Sequence, residues 1–268
     1  PKILDNDRAD TPRFSWYLHW NLPEPRLKWI KENNQWRNLV RSYLASTSFV
    51  DAQIGRLLMA LDEAGLADNT IIVYAADNGL ALGSHGLLGK QSVFEHSMRT
   101  PFIIGGPGIP QGKSVQAFTY LFDIFPTLCE LTGMTPPAGV FGESVRPLWD
   151  GSKKQIRDTV FLPYIQVQRA VRDERWKLIR YPKLGYSQLF DLQNDPNETR
   201  SVYDDPAHAA HIARLTTAMK TWQQKVSDTL ALNTGSNPPP KIDLTGQERK
   251  TDQWQPEWIV KKYFDPAK

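Results

Sequence analysis

The sequence has a single cysteine, Cys129, among its 268 residues. The chain can therefore form no internal disulfide bond, and it has no group of thiols that could hold a metal ion. It also lacks any run of about 18 uncharged apolar residues, so we expect no membrane-spanning helix. These absences exclude a disulfide-stabilised scaffold and a thiolate metal centre.

Concentrated charge is absent as well. The sequence has 32 Lys and Arg residues against 29 Asp and Glu residues, which gives a formal net charge of +3, and the basic residues are dispersed along it. Binding of nucleic acid usually requires basic residues gathered on one face, so we expect no nucleic-acid partner. Hydrophobic residues make up 40% of the chain and charged residues 23%, which is typical of a globular protein.

The sequence starts at Pro1 and has no initiator methionine. It also shows no basic segment followed by an apolar stretch, as a signal peptide would. We therefore expect the chain to be the second part of a longer protein, with any export signal upstream.

The first half of the sequence alternates between helical and strand patterns. Residues 40–61 carry apolar side chains every three or four positions, which predicts a long amphipathic helix that ends at Gly65. The apolar runs at 70–76 and 101–104 predict two buried strands, and residues 123–132 predict a helix. This alternation is typical of a layered α/β fold.

The pattern changes near residue 159. Four short strands separated by turn residues are predicted at 160–164, 169–172, 177–180 and 188–192. Asp205 and Pro206 then match the cap and first position of a helix, which we expect to pack on the sheet. These patterns predict a small α+β subdomain with an antiparallel sheet.

The predicted organisation therefore has three parts. Residues 1–155 form part of a large α/β domain, residues 156–232 form the antiparallel-sheet and helix subdomain, and residues 233–268 form an extended tail.

The most informative segment follows the first predicted strand. Asp77 and Asn78 come directly after its apolar run, at the carboxyl edge where open α/β sheets bind ligands. A carboxylate beside an amide oxygen suits a hard cation such as Ca²⁺. Four glycines then let the chain bend back, so that Lys90 returns toward the strand end as a positive charge for an anionic oxygen.

Asp-Asn-Gly is also a common turn sequence, and taken alone it would indicate only a turn. A turn does not account for the spaced glycines at 79, 83, 86 and 89, or for the His85 and Lys90 that accompany them. The assembled segment therefore favours a binding site.

In this arrangement the sequence resembles the type I sulfatases of the alkaline phosphatase superfamily. The resemblance rests on Asp77-Asn78-Gly79, Gly83-Ser84-His85-Gly86 and Lys90. The neighbouring segments agree with it: Glu95–Pro101, Gly105–Gly108, Asp123–Leu128 and Leu189–Leu192. It implies part of an alkaline-phosphatase-like mixed sheet sandwiched by helices, followed by the small antiparallel subdomain.

The resemblance also implies roles for individual residues. Asp77 and Asn78 correspond to calcium ligands, and Lys90 to a catalytic residue that binds the sulfate and stabilises charge on its bridging oxygen. His19 corresponds to the histidine that contacts sulfate or protonates the leaving oxygen, although the prolines around it are shifted from the family pattern. His85 is expected to orient the glycine loop or to line the substrate pocket.

The resemblance further implies components that this sequence does not contain. Type I sulfatases use a formylglycine made within a Cys/Ser-x-Pro-x-Arg segment, and no such segment occurs here. We expect the formylglycine and the remaining Ca²⁺ ligands to come from a missing N-terminal half, and the fragment alone to be inactive. The resemblance implies a sulfate ester as the substrate, with a sulfated carbohydrate as its class, and a periplasmic or secreted location.

Three alternatives remain open from the sequence. The first is a phosphonate or phosphate monoester hydrolase of the same superfamily, in which the same three residues serve similar chemistry. The second is a non-catalytic remnant that binds sulfated glycans or a partner subunit. The third is a structural domain without a site.

Overall fold

The computed structural model describes residues 27–232. The expectations for His19 and for the tail at 233–268 therefore lie outside the described residues. The helices of the described part are α1 (Leu27–Glu32), α2 (Trp36–Glu63), α3 (Glu95–Met98), α4 (Ile124–Leu131), α5 (Arg146–Trp149) and α6 (Ala209–Lys225). Its strands are β1 (Ile72–Ala75), β2 (Ala81–Leu82), β3 (Leu88–Gly89), β4 (Phe102–Gly105), β5 (Val160–Tyr164), β6 (Gln168–Arg172), β7 (Trp176–Tyr181) and β8 (Tyr186–Asp191). No helix in this range is long and apolar enough to cross a membrane.

The described residues divide into two compact units. The strand-pair unit comprises residues 48–77 and 100–160, and the sheet unit comprises residues 27–47, 78–99 and 161–232. The segment that follows Asp77 thus belongs to the same unit as the C-terminal sheet, a grouping that linear sequence patterns do not reveal.

The long helix predicted from the apolar periodicity is confirmed as α2, and it ends as predicted. Gly65 has a φ of +67°, a value that glycine adopts without steric penalty. Its N–H donates to the carbonyl of Asp62, and the N–H of Leu66 donates to the carbonyl of Leu61. This pair of hydrogen bonds is the Schellman arrangement, which satisfies the last carbonyls of a helix.

The two predicted strands at 70–76 and 101–104 form an antiparallel pair, with Tyr74 opposite Ile103. The expectation that both are buried is wrong, because every residue of the two strands keeps part of its surface exposed. Phe102 and Ile104 are half-buried and pack against a core of Val145, Leu148 and Trp149. Tyr74 and Ile103 point to the other face and are 43% and 62% exposed.

The antiparallel sheet predicted for the C-terminal part is confirmed. Its four strands lie in the order β5-β6-β7-β8, so each strand pairs with its neighbour in the sequence. Such local pairing needs only short connections and suits an α+β unit. Tyr181 lies opposite Tyr186 at the turn between β7 and β8.

Both faces of this sheet are covered, which is why its central strands are buried throughout. On one face, Leu215 and Met219 of α6 pack against Val171, Leu178 and Leu189. On the other face lies a second core built from residues of the sheet and of the 78–99 segment: Ala81, Leu87, Val93, Phe94, Ala170, Ile179, Tyr181, Tyr186 and Phe190.

The start of α6 also follows the prediction. The Asp205 carboxylate accepts a hydrogen bond from the Ala207 N–H at 2.9 Å, and Pro206 occupies the first position. The first turn is a short 3₁₀ helix before the α-helix begins.

Arg169 of β6 binds Asp228, which lies three residues after the end of α6. Its Nε and Nη2 atoms lie 2.7 and 2.8 Å from the two carboxylate oxygens, which makes the pair bidentate. Hydrogen bonds from Arg169, whose contribution outweighs partial burial, lower the pKa of Asp228 to about 2.

We expect the pH dependence of stability to report this pair. A carboxylate whose pKa is lowered in the folded state contributes stability above its unfolded pKa, and that stability is lost as the pH falls toward the folded value. The loss should therefore occur between about pH 4 and pH 2, and we expect it to be about 1 kcal/mol because the Asp228 side chain stays partly exposed, so that solvent screens some of the interaction. Urea unfolding of the wild type and of Asp228→Asn should show this difference at neutral pH and converge at low pH; a constant difference would contradict it.

Candidate functional site

Asp77 and Asn78 follow β1 after one intervening residue, as the sequence predicted. Asp77 is exposed and Asn78 is half-buried. The polar pair thus lies where the strand ends and the chain turns toward the glycine-rich segment.

Gly79 is held tightly just after this pair. Its N–H donates to the Ser97 carbonyl of α3 at 2.8 Å. A Cβ atom at this position would lie 2.0 Å from the carbonyl oxygen of His96, so any side chain would force the two segments apart. The glycine is required here because another backbone approaches closely.

The glycine-rich segment then forms a small hairpin. Strands β2 and β3 pair in antiparallel register, with Ala81 opposite Gly89 and Leu82 opposite Leu88. Leu80 comes just before β2 and Lys90 just after β3, so the same register puts these two residues opposite each other. The hairpin therefore brings Lys90 to the level of Leu80, two positions after Asn78, and its return to the end of β1 stays a prediction.

The tip of the hairpin has a left-handed backbone. Gly83 and Gly86 have φ values of +109° and +66°, and His85 between them has a φ of +54°. The N–H of Gly83 donates to the Leu87 carbonyl at 2.9 Å, which closes the tip. A non-glycine residue with positive φ is uncommon, so the surroundings must hold His85 in place.

Burial and ring stacking hold the side chain of His85 in place. Its side chain is 2% exposed, and its ring stacks on Phe94 with centroids 3.9 Å apart and an interplanar angle of 11°. Burial lowers the pKa of His85 well below its usual range, and the nearby His96 and Lys177 lower it further. The imidazole is therefore neutral at neutral pH. This position favours the loop-orienting role over a metal ligand, and a substrate contact stays a prediction.

Sequence reasoning missed a group of charged side chains inside the sheet unit. Lys177 of β7 is wholly buried and contacts both Glu95 and Glu198, while Arg172 binds Glu95. The only signal in the sequence is that the strand β7, which has apolar residues on both sides of it, contains Lys177 and Arg180. Its partners lie 82 and 21 positions away, so no local pattern joins them.

His208 and His211, at the start of α6, are not part of the predicted site. Both are half-buried, because they pack around Trp176. The ring centroids of His211 and Trp176 are 4.2 Å apart. Within residues 27–232, no three His, Cys, Asp or Glu side chains form a group that could hold a metal ion.

The sequence matches two family descriptions. Residues 83–225, more than half of the chain, match "N-sulphoglucosamine sulphohydrolase, C-terminal". Residues 6–134 match "Sulfatase". Together the two matches include every predicted site residue.

Known proteins agree with these matches. A sulfatase of Formosa agariphila is 33% identical over 200 residues, which cover 74% of this chain and 39% of that protein. A solved structure in complex with its substrate, D-glucosamine-2-N,6-O-disulfate, has a TM-score of 0.70 at 27% identity over 81% of this chain and 46% of its own. The phosphonate monoester hydrolase of Silicibacter pomeroyi has a TM-score of 0.69 at 30% identity over 86% of this chain and 51% of its own.

The chain therefore spans only about half, or less, of the proteins it resembles. The matched regions, the shared fold and the order of the segments around Asp77 and Lys90 agree with one another. The chain belongs to the sulfatase family, within the alkaline phosphatase superfamily.

Proposed function

We propose that this chain is the C-terminal part of a sulfuric ester hydrolase that acts on a sulfated carbohydrate. The observation that carries the proposal is the hairpin of β2 and β3, which returns Lys90 close in register to the residues that follow Asn78. The family match supports sulfate ester hydrolysis. The sugar substrate is supported by the N-sulphoglucosamine sulphohydrolase match and by the glucosamine disulfate bound to a structural relative.

The donor set of Asp77 and Asn78 fits calcium. Both residues offer oxygen atoms, which a hard cation prefers over nitrogen or sulfur. Calcium takes six to eight oxygen ligands, so two residues are not enough, and the others must come from the rest of the enzyme. When bound, the ion stabilises negative charge on the sulfate oxygens.

Lys90 has the complementary role. Its ammonium group is a compact positive charge with three donors, which suits an oxygen of the sulfate group. As the ester bond breaks, negative charge develops on the bridging oxygen, and Lys90 stabilises it there. His19 remains the proposed donor of a proton to that leaving oxygen, and the formylglycine is proposed to come from a part of the enzyme outside this chain.

A second candidate function is hydrolysis of a phosphonate or phosphate monoester. The observation that favours it is the similarity in fold and sequence to a phosphonate monoester hydrolase. Phosphonate, phosphate and sulfate esters all present anionic oxygens to a cation and a lysine, so the described residues serve either reaction.

Substrate profiling of the full-length enzyme separates the two candidates. The wild type should be assayed with one aryl or sugar alcohol as its sulfate ester, phosphate ester and phosphonate ester. We expect kcat/KM to be at least about 100-fold higher for the sulfate ester, a difference of about 2.7 kcal/mol in transition-state stabilisation. A preference for the phosphonate or phosphate ester would establish the second candidate, and no turnover of any of them would favour the binding remnant.

The metal assignment predicts that Asp77→Ala binds calcium weakly. We expect kcat/KM to fall about 100-fold or more at limiting calcium, with partial recovery at high calcium, because one oxygen ligand is lost. Calcium titration of activity and direct calorimetric titration of the metal should give parallel losses. Asp68→Ala, at an exposed position in a short helical turn, is the matched control and should stay within twofold of wild type. An unchanged calcium affinity in Asp77→Ala would overturn the assignment.

Removing the Lys90 ammonium should affect the rate of the chemical step more than the affinity for calcium. We expect Lys90→Ala to lower kcat by about 10² to 10³ while calcium affinity changes little. The loss should be smaller for esters with acidic leaving groups, which need less stabilisation of the departing oxygen. Lys220→Ala, on the exposed side of α6, provides the control. A dependence on the leaving group identical to that of wild type would contradict this role.

A further inference from the structure

The contacts of Lys177 lead from the core of the C-terminal sheet to the backbone beside Asn78. Lys177 Nζ lies 2.7 Å from Glu198 Oε1 and 3.0 Å from Glu95 Oε1. The other oxygen of Glu95 binds the guanidinium of Arg172. Two cations and two carboxyl groups thus meet in the interior, where Lys177 is 0% and Glu198 1% exposed.

Glu198 also binds backbone directly. Its second oxygen, Oε2, accepts a hydrogen bond from the N–H of Glu95 at 2.6 Å. Glu95 is the first residue of α3, and Phe94 at the cap position has no side-chain acceptor to offer. A glutamate 103 residues further along the chain therefore caps this short helix.

The other end of α3 contacts Gly79, the residue that follows Asn78. The Ser97 carbonyl accepts the N–H of Gly79, and the His96 carbonyl leaves no room for a Cβ atom there. The side chain of Ser97 is fixed in turn, since its Oγ lies 3.0 Å from Ser92 Oγ in a buried pair. Any displacement of α3 is thereby transmitted to the residue that follows Asn78.

Burying these charged side chains costs desolvation free energy, which indicates that the cluster does more than stabilise the core. Buried ion pairs can often be replaced by apolar side chains without loss of stability, so their presence is weak evidence of a stabilising role. Glu198 moreover has a φ of +55°, an uncommon conformation for a non-glycine residue that persists only where other contacts impose it.

The protonation of the two acids differs. Burial raises the pKa of Glu198, although Lys177 partly opposes the rise. Burial also tends to raise the pKa of Glu95, but Lys177 and Arg172 outweigh it and the pKa of Glu95 is lowered. Both acids lie within ion-pair distance of Lys177, and the hydrogen bond that the Glu95 N–H donates to Glu198 Oε2 sets the position of the helix.

We propose that Glu198 and Lys177 are positioning residues for the metal and sulfate site, acting through α3 on the backbone of Gly79 and hence on Asn78. The proposal rests on the function proposed above for Asn78. It makes the C-terminal sheet part of the apparatus that orients a ligand, although none of its strands carries a predicted ligand. Such outer contacts of metal ligands commonly change metal affinity 10- to 100-fold when they are removed.

The test compares three variants of the full-length enzyme. Glu198→Ala removes both the charge pair and the cap on α3. Glu198→Gln keeps one oxygen that can accept the N–H of Glu95 and turns its NH2 group toward Lys177, so it retains the cap and loses the charge pair. Asp228→Asn, in the same unit, weakens the buried pair with Arg169 and touches neither α3 nor Gly79.

The first measurement is hydrogen exchange of peptides that contain Gly79 and Ser97. We expect at least about tenfold faster exchange in Glu198→Ala, little change in Glu198→Gln, and little change in Asp228→Asn even though that variant is also destabilised. The second measurement is calorimetric titration with calcium, in which Glu198→Ala should bind about 10-fold more weakly and Glu198→Gln should be close to wild type.

The outcomes distinguish this proposal from the proposed function. Unchanged exchange at Gly79 in a folded Glu198→Ala variant overturns the positioning role, as does an equal change in Asp228→Asn. Faster exchange without any change in calcium affinity shows that the position of α3 does not affect metal binding at Asn78. That result also overturns the positioning role. If the wild type binds no calcium while exchange changes as expected, the proposed function fails and the mechanical link to Asn78 stands. Should Glu198→Ala fail to fold, Lys177→Met combined with Glu198→Leu, which removes the cap on α3 and leaves no unpaired buried charge from this pair, carries the same comparison.

Discussion

The contact on which the described site depends is the one between Gly79 and α3. One backbone N–H to the Ser97 carbonyl, with no space for a Cβ atom beside it, attaches the end of the Asp77-Asn78 segment to a helix of four residues. So short a helix has little stability of its own, because helix formation becomes favourable only over longer lengths. Its position therefore comes from the surroundings.

Those surroundings belong to the C-terminal sheet. Phe94, just before α3, is buried in the core that Ile179 and Phe190 of the sheet help to form. The carboxyl group of Glu198, which lies 103 positions after Glu95 in the sequence, caps the helix. The same core receives Leu87 from the hairpin and supports the stacked ring of His85. The subdomain that contains none of the predicted ligands is thus what gives the glycine-rich segment its shape.

Much of this could be predicted because the signals are local. The apolar period of α2, the stop at Gly65 and the cap at Asp205 each depend on a few neighbouring residues, and all three are confirmed. The strands of the antiparallel sheet were predictable for the same reason, since each pairs with the next in sequence. The bend of the chain between Asn78 and Lys90 followed from glycines that permit a left-handed backbone within one short hairpin.

The sequence by itself determined the elements, the family and the candidate ligands, because these depend on residue type and on spacings of a few positions. The tertiary structure alone decided that the 78–99 segment packs with the distant C-terminal sheet and that His85 is buried and neutral. It alone paired Lys177 with Glu95 and Glu198, and it left Tyr74 and Ile103 exposed on one face of β1 and β4. The physical reason is that charge pairing and burial depend on which surfaces meet in space, and contacts between residues 20 to 100 positions apart leave no local pattern in the chain.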